Sequence, residues 1–103
     1  MRKVDYYNAE AKKHISWVYI LERKGGVRSI HHSFNPVRTL GPLWEGLRLV
    51  FYRGFRDPMD SVAYKVFLQN LSFDSVSRII SINNPKGENL SKELFQDYES
   101  SMN

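Results

Sequence analysis

The chain has 103 residues, enough for one domain with a core but too few for two, and its 42% apolar and 14% aromatic content is that of a globular rather than a disordered chain. It contains no cysteine, which excludes disulfides, thiolate chemistry and cysteine-built zinc sites. The net charge of +4 leans towards a polyanionic partner, although Lys and Arg are spread through the chain and form no long run.

Residues 1–15, MRKVDYYNAEAKKHI, are polar and charged and read as a short helix or loose arm, with Tyr6 and Tyr7 as anchors. They lack the apolar run of a signal peptide, and no later stretch approaches membrane-spanning length, so a cytoplasmic protein is the expectation. Residues 16–103 form the expected single domain. Trp17-Val18-Tyr19-Ile20-Leu21 is a continuous apolar run of strand formers and predicts a strand buried on both faces. Glu22-Arg23-Lys24-Gly25-Gly26 supplies hairpin-turn chemistry, because paired glycines reach positive φ at no steric cost. Val27 to Ser33 is mixed in polarity and predicts an outer strand.

Asn35-Pro36 predicts a helix start, which Gly41-Pro42 stops after about two turns. Leu47 to Phe55, LRLVFYRGF, is the third predicted strand. Asp57-Pro58 opens a further helix, in which Val62, Ala63, Val66, Phe67 and Leu71 recur at helical spacing and predict a buried stripe, with Lys65 pointing away from it. Ser75 to Ile82 fits a helix or a strand. Asn84-Pro85 breaks the chain, and Leu90, Leu94 and Tyr98 mark one side of a terminal helix. The resulting order, strand, strand, helix, strand, then three helices, predicts an α+β domain with a small, mostly antiparallel sheet flanked by helices.

Four fragments fall in that order: WVYILE at Trp17–Glu22, Ser33-Phe34-Asn35-Pro36-Val37-Arg38-Thr39-Leu40, LVFYRGF at Leu49–Phe55, and Ile79-Ile80 with Asn84-Pro85, Asn89-Leu90 and Leu94. Together they resemble the short, stand-alone bacterial GIY-YIG endonuclease domains over roughly residues 17–94. Members of that family are metal-dependent nucleases: a helix glutamate holds one divalent ion, while tyrosines and an arginine surround the scissile phosphate. Aligned in this way, Tyr19, Arg38 and Asn84 keep the family's residue type. Lys65 falls on the glutamate position, and Ser29-Ile30-His31 replaces the second-strand Tyr-x-Gly. A hard cation needs a carboxylate anchor, so the resemblance implies a domain that has lost its metal and its cutting chemistry, with no cofactor.

The expected activity is therefore non-catalytic binding of nucleic acid. Tyr19, Arg28, His31, Arg38 and Lys65 are the candidate phosphate contacts, since a planar guanidinium binds two phosphate oxygens. One alternative is a protein-interaction module that inhibits or accompanies a nucleic-acid enzyme, docking through Trp44, Tyr6 and Tyr7. The other is a nuclease rebuilt around His31, Arg38 and Glu22. His31 and His32 are adjacent on a strand and must face opposite sides, so they cannot easily share one ion.

Overall fold

The computed structural model describes residues 14–40 and 46–102. Three strands, β1 (Ser16–Arg23), β2 (Arg28–Ser33) and β3 (Leu47–Phe55), form one antiparallel sheet of order β2-β1-β3. Among the described residues there are four helices: α1 (Pro36–Leu40), α2 (Pro58–Gln69), α3 (Phe73–Asn83) and α4 (Ser91–Met102). The domain is α+β, in the order the sequence predicts. No helix among the described residues is long and apolar enough to cross a membrane.

β1 is the central strand, and its continuous apolar run is buried on both faces. Val18 and Ile20 point to one side, where they pack with Val50, Phe51, Leu68, Val76 and Ile80 beneath α2 and α3. Trp17, Tyr19 and Leu21 point to the other, where Leu40 of α1, Leu49 and Leu94 of α4 cover them. A β-bulge accommodates this: Phe51 lies opposite Ile20 and Leu49 opposite Leu21, so Val50 is the extra residue and joins Phe51 on the α2–α3 side. The hairpin turn uses Gly25 and Gly26 at φ of 97° and 85°, a region that side chains with a Cβ rarely adopt.

The predicted caps form. Asn35 Oδ1 accepts from the Arg38 amide at 3.0 Å, and Asp57 Oδ1 from that of Met59 at 2.8 Å. The ambiguous stretch around Ser75 is helix, capped by Ser72, whose Oγ accepts from the Ser75 amide at 3.1 Å.

One expectation is overturned. The stripe on α2 does not face the core: Val62, Val66 and Phe67 are 46%, 48% and 51% exposed, and Ala63 is exposed as well. Of the five residues only Leu71 packs against the core. The buried side carries Ser61 and Leu68 instead. Ser61 is selected because it is small and can be satisfied locally. Its hydroxyl donates to the Pro58 carbonyl at 2.8 Å and accepts from Ser16 Oγ at 2.7 Å, which draws the helix close onto β1.

Candidate binding site

The antiparallel register places His31 directly opposite Tyr19. The two rings share a face and stack, with centroids 5.5 Å apart and planes 21° from parallel. His32 points to the opposite face, as strand alternation requires, and meets the Phe34 ring edge-on at 5.2 Å. Tyr19 is fully buried, and its hydroxyl makes no well-formed hydrogen bond among the described residues. Burial pushes that phenol up, while the neighbouring hydroxyls of Thr39 and Ser33 act in the opposite direction. Ser33 and Thr39 bond each other at 2.8 Å and tie the end of β2 to α1.

Lys65 is half-buried on the flank of α2 that faces β2. Burial, and then the charge of Lys65, hold both His31 and His32 below the ordinary imidazole value. Among the described residues no carboxylate pairs with Lys65. Three cationic or protonatable groups therefore gather at the C-terminal half of β2. Among the described residues no group of three His, Asp or Glu side chains could hold a metal ion.

The other two predicted contacts lie apart from this cluster. Arg28 stands at the opposite end of β2, where its guanidinium is already engaged. Nε donates to Glu22 at 3.2 Å, Nη1 donates to Ser77 Oγ at 2.7 Å, and the Phe73 ring centroid lies 4.2 Å from Cζ. Arg48 also donates to Glu22, at 2.8 Å. Burial alone would raise the Glu22 carboxyl, but Arg48 and Arg28 outweigh it and hold it below the usual carboxylate value. Glu22 is thus a clasp between two arginines rather than a free base. Arg38, in α1, is exposed, and its guanidinium has no partner among the described residues. Trp44, Tyr6 and Tyr7 lie outside the described residues.

Two features were not foreseen in the sequence. The first is the outward side of α2, where Met59 (76% exposed) joins Val62, Val66 and Phe67 in an apolar strip open to solvent. Beside it a cavity of about 300 Å³ opens between β2, α2 and α3, lined by Arg28, Ile30, Leu68, Gln69, Leu71, Phe73 and Val76. The second is a polar cluster on the α4 side, where the Tyr52 hydroxyl can donate to Glu93, at 3.0 Å, or to Asp97. A phenol has one proton for these two acceptors. Burial, and then both carboxylates, push its pKa far above the ordinary phenol value. His14 packs edge-on against Trp17 nearby and is held low by burial, partly offset by Asp97. The i, i+4 spacing of Glu93 and Asp97 puts them on one face of a helix, but only the tertiary fold brings Tyr52 beneath them.

The fold and this geometry define a small α+β domain with an open apolar flank and a strand edge bordered by Lys65 and two histidines. No protein-family model matches the chain, and neither a curated protein nor a solved structure does.

Proposed function

We propose that the chain is a non-catalytic binding domain that docks a protein partner on the outward flank of α2. The observation that carries this reading is the strip formed by Met59, Val62, Val66 and Phe67, four large apolar side chains on one helix that are left to water. Isolated exposed apolar residues are ordinary, but a contiguous strip of them marks an interaction surface. Two of the five candidate phosphate contacts are also committed elsewhere. Tyr19 is buried, and Arg28 is held by Glu22, Ser77 and Phe73.

The test is quantitative affinity purification with the full chain, after nuclease treatment, comparing wild type with Val66→Glu and with the control Arg78→Glu. A partner held by wild type and Arg78→Glu but lost by Val66→Glu supports the reading. Equal recovery by all three, or loss of the partner on nuclease treatment, overturns it.

A second reading, binding of a nucleic-acid backbone, is supported by Lys65 beside β2 and, apart from it, Arg38 on α1, two cations with no carboxylate paired to them among the described residues. The GIY-YIG resemblance points the same way. Fluorescence anisotropy with single- and double-stranded oligonucleotides at about 50 mM and about 200 mM salt separates the two readings. Binding that weakens with salt, and weakens again in Lys65→Glu, favours nucleic acid; no binding at the lower salt removes this second reading.

A further inference from the structure

The two edges of the sheet are not equivalent. On β3, the outer edge is covered around the bulge: Leu49 N donates to Asn89 Oδ1 at 3.3 Å, Leu49 O accepts from Leu90 N at 2.9 Å, and Val50 O accepts from Asn84 Nδ2 at 3.1 Å. No such bonds reach the outer edge of β2 from any described residue. Which groups are free follows from the hairpin. Arg23 N donates to Val27 O at 2.8 Å, so Val27 faces β1, and regular alternation without a bulge turns Ser29, His31 and Ser33 towards β1 as well. Arg28, Ile30 and His32 therefore present their N–H and C=O groups outward.

Their side chains lie on the α2 face of the sheet, beside the cavity that Arg28 and Ile30 line together with Gln69. Gln69 and Lys65 show which flank of α2 faces β2, and Val62, three residues before Lys65, and Val66, three before Gln69, lie beside them on the helix surface. A strand added outside β2 would run beneath this flank. It would satisfy the three amides that no described residue pairs and cover both valines.

Charge selects the occupant. Lys65 borders the edge beside His31 and His32 and has no carboxylate paired to it among the described residues, while the charge of Arg28 is already met by Glu22. A second copy pairing β2 with β2 would bring a second Lys65 to the same ladder and, from the described residues, no carboxylate to meet it, which is unfavourable. An acidic strand would complement Lys65.

We infer that an extended, acidic segment of the protein partner adds to the sheet as a fourth strand along β2, placing an apolar side chain in the Ile30–Phe73 cavity and a carboxylate against Lys65. This is strand addition, in which main-chain hydrogen bonds hold the segment and alternate side chains give it specificity. It rests on the protein-partner reading above and names the chemistry of that partner.

The probe is a synthetic peptide of alternating Val and Glu, as long as the six-residue β2, with its Lys-for-Glu counterpart as control. Hydrogen exchange on the full chain should show protection of the Arg28, Ile30 and His32 amides by the acidic peptide alone. N-methylation of the peptide amides on one edge should abolish binding, and on the other edge should not. Lys65→Glu should weaken it about tenfold. Equal binding of the basic peptide, or binding without protection of those three amides, overturns the inference. So does a free chain that already sediments as a dimer with them protected, because a second copy then fills the edge. An oligonucleotide that protects the same amides more strongly than the peptide also overturns it, in favour of nucleic acid. If the edge binds no peptide while Val66→Glu still loses the partner, the inference fails and the docking reading stands.

Discussion

The orientation of α2 decides whether its apolar strip is core or interface, and two substitutions on opposite faces of that helix test it. Val66 is 48% exposed, so about half of the ~1.5–3 kcal/mol available from burying a valine is realised there. Val66→Glu forfeits at most roughly 1.5 kcal/mol, and a few tenths return because glutamate is the better helix former. The net cost should be no more than about 1 kcal/mol. Leu68 is 1% exposed and packs with Val18, Ile20 and Phe51, so Leu68→Ala removes a full side chain from a closed core and should cost about 2–5 kcal/mol. Urea unfolding followed by circular dichroism reads both from the midpoints at constant m-value. If the strip formed the core, the ranking would invert, since burying an unpaired carboxylate costs more than trimming a leucine. A Val66→Glu chain less stable than Leu68→Ala would refute the fold's orientation and the docking flank with it.

Three further outcomes are expected. A Cβ at Gly54 would lie 2.2 Å from His14 Nδ1 and 2.7 Å from Trp17 Cζ3, well inside normal contact, so Gly54→Ala should cost about 2 kcal/mol by thermal melting, and adding His14→Ala should recover only the part that His14 imposes. Because burial and Lys65 depress His31 and His32, their contribution to stability is present above about pH 6.5 and is lost as the pH falls below it. Lys65→Met should raise both NMR titration midpoints and flatten the acid-side loss. Tyr52 is shifted upward, so its contribution is complete below about pH 10 and falls as the pH rises past it. Tyr52→Phe should cost about 1 kcal/mol at neutral pH and should narrow its deficit to wild type in alkaline unfolding series.

What the sequence made legible was local in origin. The run from Trp17 to Leu21 could be satisfied only by burial on both faces, and Asn35 and Asp57 cap helices with oxygens they carry themselves. The clasp of Glu22 on Arg28 is also short-range, since the hairpin sets those two residues opposite each other, yet the sequence reading misses it by assigning Glu22 to a rebuilt site and Arg28 to phosphate. The closeness of Lys65 to His31 and His32 is different in kind. It depends on how α2 crosses the sheet, which no periodicity encodes.

The error on α2 has the same cause and is the more instructive. Averaged over the helix, apolar residues favour the Val62–Val66–Phe67 side, and by local pattern that side should be core. The sheet decides otherwise, because Ser16 offers a hydroxyl partner to Ser61 across 45 residues, and Leu68 then falls onto Val18 and Ile20. Local pattern and global fold agree along β1, at the caps and in the hairpin, and they part on this one helix face. Conflicts of that kind concentrate where a chain serves something besides its own stability. The apolar residues that the core does not take lie beside the β2 edge, whose outward amides no described residue pairs, and the proposed strand-shaped partner would cover both.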